Sequence, residues 1–453
     1  MDNNRGFASR LGFIMSMAAF SIGVGNIWKF PYVVGNSGGG AFLIVYLAMV
    51  ILVGYPTFLI EVGLGRSSGF SPIRGMQQLE KSKKTPWTMI GWLGALSVFI
   101  IVGYATMIVG GWTGGYIFKT ISGSLQGLDA DGISTAFSQY SGSNASLLFT
   151  LATYVLMWLC LNSGVKKGVE KVCSVLLPIL FVIMIGLAIY SCVMPGGKEG
   201  LLWYIKPDFS KIDASVISAA ATQVFFSIGI GMCCAFVYGS YISKDTNMTG
   251  SLALTALLDT TIAVLAGLIC VPALFSFGIE PTTGPSLIFV TLPQLFNAMG
   301  SFGRIFGCLF MLCVYFAGFT SVLGGAESLV AILGDNTKRK RSQNCTIVVI
   351  ALFILSIFFT RSFGTGFLSK IRILGMGLFD FGDFIASGIC LTLGAILMLA
   401  YVLFRWGFDK FKEEINAGAT GKIRIYDWMK PYFCIVLPII LIAVCYCIVR
   451  MYI

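Results

Sequence analysis

The chain has 453 residues, of which 57% are apolar and 11% charged, against ~25% charged in an ordinary soluble domain, so water is excluded as its main solvent. The net charge of +11 does not indicate nucleic acid, because the cations lie in short loops between apolar runs rather than on one face. Thirteen Cys without metal-ligand spacing and the lack of any His remove the usual metal ligands and the commonest general base.

A bilayer core of ~30 Å takes about 20 helical residues, and by that measure the sequence predicts about eleven spans in one membrane domain, 1–453. In chain order they cover 11–35, 41–65, 88–119, 147–162, 172–193, 215–241, 248–276, 300–333, 344–360, 379–404 and 432–450. The first run follows Arg10, exceeds the length of a leader's apolar core and has no cleavage-type site after it, so it is read as a retained span. Lys and Arg mark alternate loops: Arg66 to Lys84, Lys166 to Lys171, Lys338 to Arg341 and Arg405 to Lys430. These loops belong inside. The odd count then puts the N-terminus in the cytoplasm and the C-terminus outside, in a plasma (inner) membrane.

Two outer segments exceed minimal turns. One carries Pro195-Gly196-Gly197 and Lys206-Pro207-Asp208; the other carries Pro281, Gly284-Pro285 and an apolar run from Leu287 to Phe296 that suits short helices. A lid and a packed outer cap are both consistent with them.

Span 1 contains Phe20-Ser21-Ile22-Gly23-Val24-Gly25-Asn26 and span 6 contains Phe226-Ser227-Ile228-Gly229-Ile230-Gly231-Met232, identical at five of seven positions. Each Gly weakens a helix by ~1 kcal/mol relative to Ala, and unwound backbone persists in a membrane only where protein or a polar cavity satisfies it. One such string would indicate close helix packing. Two in matching positions of five-span halves, about 10–195 and 212–404, with one more helix at about 430–453, indicate a secondary transporter whose freed carbonyls take a cation and whose amides take an anion. A zwitterionic amino acid with co-transported Na+ suits that arrangement.

Acids inside spans cost at least ~2.5 kcal/mol on insertion scales and mark function. Asp259 is the clearest, as an Na+ ligand or a charge balance. Glu61 and Glu327 divide evenly between function and satisfying amides of a broken helix. Thr320 and Ser321 offer hard oxygens for Na+, although such hydroxyls commonly bond back to their own helix.

The strings GNIWKFPY in span 1 and GGGAF directly after it are followed by PTFLIEVGLGR, GVKKGVEK, QVFFSIGIG, GPSLIFVTLPQLF, FAGFTS and FDFGD. Over nearly its whole length the chain thus resembles the neurotransmitter:sodium symporter family, in its bacterial amino-acid branch. The resemblance implies an all-α membrane fold of eleven helices. It also implies an inverted five-plus-five repeat with helices 1 and 6 unwound, and Na+-driven alternating access. Matched motifs give one sodium site of the Ser21 carbonyl with Asn26, Ser227 and Asp259, and a second of the carbonyls of Ala19, Ile22 and Ala317 with the hydroxyls of Thr320 and Ser321. The substrate would meet Phe20, Ser21, Gly23, Gly25, Val102, Phe226, Ser227, Gly229, Met232, Ser321 and Gly325. Gly23 stands where monoamine transporters place Asp and leaves room for a carboxylate, while Gly229 and Gly325 remove bulk from the far end, so a hydrophobic or aromatic amino acid is expected. Asp259 occupies a frequent Asn position, which implies independence of chloride.

Thr106, six residues before Trp112, replaces a Tyr common in the family, with Tyr104 roughly 200° away around an α-helix; either its hydroxyl substitutes or the helix is locally shifted. The outer gate would pair Lys29 with Asp383, Lys replacing the usual Arg, and the inner gate Arg5 with Asp335. Expected partners are the substrate, sodium ions and the bilayer, in a monomer or weak homodimer. A transporter-like sensor remains the alternative; with no His and no Ser-Lys or Asp-Asp pair in register, an enzyme finds no support.

Overall fold

The computed structural model describes residues 6–23, 25–279, 286–421 and 423–450. Among them every named element is a helix, and strand-type pairing is limited to one isolated bridge between Ile373 and Met376. Nine unbroken helices among these residues are long and apolar enough to cross a membrane: Gly40–Ser68, Thr88–Ser122, Asn144–Asn162, Val165–Val193, Met248–Phe277, Ser301–Asn336, Arg341–Ser362, Leu378–Trp406 and Asp427–Arg450. They serve as spans 2 to 5 and 7 to 11. Span 1 is a bent pair, Arg10–Ser21 and Gly25–Asn36, turned by 55° at the break. Span 6 is Ala214–Ile228 followed by the short helix Cys234–Gly239.

Side chains sort by solvent, with hydrocarbon as the outer one. Large apolar groups such as Val182, Leu148 and Phe404 point away from the bundle, whereas Asn26, Glu61, Asp259, Thr320 and Glu327 are buried inside it. The two broken spans occupy that interior. The first half of span 1 packs on spans 7 and 8, and its second half on span 7.

The break in span 6 depends on backbone that L side chains seldom adopt. Gly229 and Gly231 have φ of 69° and 88°, and a Cβ on Gly231 would fall 2.1 Å from the Leu391 carbonyl oxygen. Cys233 adopts the same left-handed region at φ 61° despite its side chain. Freed amides are met by Glu61: Gly231 N–H donates to Glu61 Oε2 at 3.0 Å.

Several boundaries differ from the sequence reading. Span 5 begins at Val165, not 172, because Val165–Glu170 winds as a wide i→i+5 helix; Glu170 is held inside by the Ala8 amide at 2.7 Å. The basic stretch Lys166 to Lys171 is therefore helical rather than a loop. The outer segments form the helices Ala130–Ser141, Gly197–Ile205 and Leu287–Ala298, and the ends with basic loops carry Pro72–Leu79 and Phe408–Asn416. Phe289 stacks on Phe137 at 5.1 Å and meets Trp112 edge-on at 5.7 Å, so the run from Leu287 is packed down on span 3. Pro281, Gly284 and Pro285 lie outside the described residues.

Candidate functional site

The first half of span 1 ends at Ser21; Ile22 turns to an extended ψ of 96°, and the Gly23 amide donates to Asn26 Oδ1 at 3.2 Å. Asn26 thus caps the break with its carbonyl and turns its amide nitrogen outward to span 7. Asn26 Nδ2 donates to Asp259 Oδ1 at 2.8 Å and to Ser227 Oγ at 2.9 Å, and Ser227 Oγ donates to Asp259 Oδ2 at 2.7 Å. Three of the four residues assigned to the first sodium site therefore form one buried cluster drawn from both broken spans and span 7. The fourth, Ser21, keeps a buried hydroxyl with no protein partner. The Asp259 carboxylate, the Asn26 amide carbonyl and the Ser227 hydroxyl are the donor chemistry a hard cation takes, and Ser21, whose carbonyl the matched motif assigns to the ion, stands on the wall of the cavity that Asn26 and Ser227 also line.

The second set also converges. Thr320 Oγ1 reaches the Ala19 carbonyl at 3.2 Å and the Ala317 carbonyl at 3.1 Å, and Ser321 Oγ donates to the Phe20 carbonyl at 2.8 Å. Span 8 hydroxyls and span 1 carbonyls thus meet across 301 residues of chain. Ile22 is buried next to them, its N–H on the Ala18 carbonyl at 2.7 Å.

All eleven residues assigned to the substrate line one cavity of about 650 Å³, its mouth included. Val98, Ile101, Tyr104, Ala105, Cys234 and Val322 line it as well. Three of these were legible: Val98, Ile101 and Ala105 follow, with Val102, the i, i+3, i+4, i+7 spacing of one helix face. The glycines act differently from expectation at two positions. A Cβ on Gly325 would lie 2.5 Å from Val102 Cγ2, so the bulk it omits is taken up by Val102 rather than left open. Gly229 likewise makes way for Phe20, whose ring carbons lie 3.2 and 3.3 Å from the site of a Cβ.

Thr106 does not reach the cavity. It is fully buried and donates back to the Val102 carbonyl at 2.7 Å, whereas Tyr104 lines the cavity and donates to Asp383 Oδ1 at 2.8 Å. The local shift is visible directly after them: Met107–Thr113 is wound with i→i+5 bonds, so rotation counted back from Trp112 at 100° per residue fails.

Lys29 and Asp383 act on each other electrostatically, but their contacts differ from a simple pair. The Lys29 ammonium lies over the Phe226 ring, 4.4 Å from its centroid, and Asp383 accepts from Tyr104 and from Ser387 Oγ at 2.8 Å each. Arg5 lies outside the described residues; Asp335 accepts the Ser71 amide at 2.7 Å. Glu327, completely buried, belongs to a scaffold ion pair: Arg341 donates to both of its oxygens, at 3.1 and 2.5 Å, and Tyr241 adds a bond at 3.0 Å.

Against known proteins, residues 4–131 and 128–452 match the model of the Sodium:neurotransmitter symporter family. An uncharacterized sodium-dependent transporter of Bacillus subtilis is 33% identical over 93% of this chain and 93% of its own. Another from Haemophilus influenzae is 30% identical over 97% of this chain and 96% of its own. The crystal structure of MhsT in complex with L-phenylalanine superposes with a TM-score of 0.85 at 33% identity, covering 98% of this chain and 99% of that one.

Proposed function

This chain belongs to the sodium:neurotransmitter symporter family and is a multi-pass, sodium-dependent transporter, and on that premise we propose that it carries a hydrophobic or aromatic L-amino acid with Na+ and without chloride. One observation supports the reading above others: the cavity between the broken spans joins a compact polar cluster to a mostly apolar wall. Asn26 and Ser227, bonded to each other, stand on it with Ser21, Gly23 and Gly25, while Val98, Ile101, Val102, Phe226, Met232 and Val322 supply apolar lining.

In this reading the α-carboxylate lies at the polar end, where the first turn of Gly25–Asn36 has amides without intrahelical partners, next to Na+ on Ser21, Asn26, Ser227 and Asp259. Absence of a side chain at Gly23 leaves the carboxylate unopposed. The second Na+ would use Ala19, Ile22, Ala317, Thr320 and Ser321, tying span 8 to the first half of span 1. The side chain fills the apolar end, as a bound phenylalanine in the related structure would suggest. Asp259 supplies the fixed negative charge that makes chloride unnecessary. Phe226 with its Lys29 cap, and Tyr104 with Asp383, close the pocket on the side away from the basic loops. Those loops face the cytoplasm in the plasma membrane.

Uptake into proteoliposomes tests this. Radiolabelled Phe, Tyr, Trp or Leu should accumulate only under an inward Na+ gradient and continue when gluconate replaces chloride. Competition by Gly or Ala alone would refute the substrate class, and collapse in gluconate would refute chloride independence.

A further inference from the structure

A second cavity lies away from the transport pathway. It is an apolar groove between spans 3, 8 and 9, walled by Trp92, Phe99, Leu329, Leu333, Ile347 and Ala351. Trp92 is 63% exposed and Ile347 41% exposed, on transmembrane helices, so the groove opens sideways toward hydrocarbon. It runs along the membrane normal: Trp92 to Phe99 and Leu329 to Asn336 each span seven residues, ~10 Å at 1.5 Å per residue, most of a leaflet of ~15 Å.

Its end at Asn336 meets a concentration of positive charge. Lys338, Arg339 and Lys340 follow directly and are exposed. On the other side Pro72–Leu79 brings Ile73 into the groove and leads into exposed Lys81, Lys83 and Lys84. That helix is fixed to the same end of span 8, since Arg74 Nη1 donates to the Asp335 carbonyl at 3.0 Å. None of the six cations takes part in an ion pair among the described residues. The nearest acid in sequence, Glu80, is already engaged by Arg405 at 2.7 Å and Tyr401 at 3.0 Å. Arg341 is likewise committed to Glu327.

We propose that this groove binds one anionic phospholipid from the leaflet on the basic-loop side. An acyl chain lies against Trp92 and Phe99, and the phosphate sits between Lys338, Arg339 and Lys340 on one side and Lys81, Lys83 and Lys84 on the other. Hydrocarbon on three walls selects a lipid; six uncompensated cations select a negative headgroup, since each basic residue near such a surface favours anionic lipid. The lipid would brace the end of span 8 that carries Asp335.

The probe is bromine-labelled lipid, which quenches nearby indole fluorescence. Full-length protein in detergent micelles is titrated with phosphatidylglycerol or phosphatidylcholine bearing brominated acyl chains, and the Trp92 signal is taken as the difference from Trp92→Phe. Half-quenching by phosphatidylglycerol should occur at about tenfold lower mole fraction than by phosphatidylcholine. Replacing Lys338, Arg339 and Lys340 by Gln should bring the two lipids within about twofold, as should Gln at Lys81, Lys83 and Lys84 if either set is tested in a protein with an unchanged melting temperature. Ala351→Phe should fill the groove and suppress quenching by both. Equal quenching by the two lipids in the natural chain, meaning annular contact only, would overturn the proposal, as would a preference that survives both Gln variants.

Discussion

Replacing Asp259 by Asn alters one charge at nearly constant volume, and its effect can be worked from the cluster. The carboxylate accepts from Asn26 Nδ2 at 2.8 Å and from Ser227 Oγ at 2.7 Å and is 1% exposed. An Asn can still accept from Ser227, but its own amide would face that of Asn26, so one bond is lost. Removing one member of a buried, hydrogen-bonded charge pair costs ~2–5 kcal/mol, and under the proposed assignment the pair is carboxylate and Na+. At ~1.4 kcal/mol per decade, Na+ affinity should fall between about 30-fold and a few thousand-fold. In K+ the opposite holds, because a carboxylate inside the membrane without a cation costs at least ~2.5 kcal/mol on insertion scales. The variant should therefore melt at the same or a higher temperature than the natural chain in K+, yet gain little stability on adding Na+. Thermal melting across a Na+ titration reads both quantities in one sample. A Na+ midpoint within threefold of the natural chain would refute the assignment, whereas a lower melting temperature in both salts would reveal a scaffold acid instead.

Tyr104→Phe removes one charge-assisted bond to Asp383, ~1.5–3 kcal/mol, while Ser387 continues to donate. Substrate affinity in an equilibrium binding assay should weaken by about 10- to 100-fold with the Na+ midpoint of substrate-free melting unchanged; an equal shift in both would place Tyr104 in the ion site. Arg341→Ala strands the fully buried Glu327 and should destabilise the protein by ~3–5 kcal/mol, whereas the double change Arg341→Met, Glu327→Leu should recover most of that, as melting in detergent will show. The Arg405 guanidinium holds the Glu80 carboxyl below its usual range. Its contribution is therefore present above the unfolded carboxylate pKa and is lost as pH falls through the lower folded value. The melting difference between the natural chain and Glu80→Gln, small for so exposed a pair, should shrink from pH ~5 to pH ~3.

Much of the fold was legible because the bilayer imposes a length. Spans 2, 7 and 10 lie within a few residues of their apolar runs, and the Gly strings located both breaks. What failed did so for local reasons. The start of span 5 was misplaced because Lys166, Lys167 and Glu170 read as loop, yet Glu170 is drawn inside by the Ala8 amide 162 positions away, a contact without any sequence period. Tyr104 was left aside because the geometry counted from Trp112 assumed α-helical rotation, and the wide turns of Met107–Thr113 broke it. The ring beneath Lys29 belongs to span 6, and no spacing within span 1 encodes it. Val98, Ile101, Val102 and Ala105 of span 3, by contrast, share one face and needed only the period.

The three buried acids show why composition alone left function and scaffold undivided. Each lies inside the bundle and is at most 1% exposed, so burial does not distinguish them. Their partners do. Glu327 meets a guanidinium with two bonds, which completes its charge inside the protein. Glu61 faces the amide of Gly231, at a turn whose backbone no helix satisfies; it compensates the break itself. Among the described residues Asp259 meets only neutral donors, the Asn26 amide and the Ser227 hydroxyl, and neutral dipoles do not cancel a full charge in a medium where its desolvation is this costly. Glu61 likewise meets a neutral donor, and its Oε1 has no hydrogen-bond partner, so what sets Asp259 apart is the position of its donors. Because both of its donors stand on the broken spans that also line the cavity, a cation there would pull on the same two helices as the substrate, and so couple one to the other.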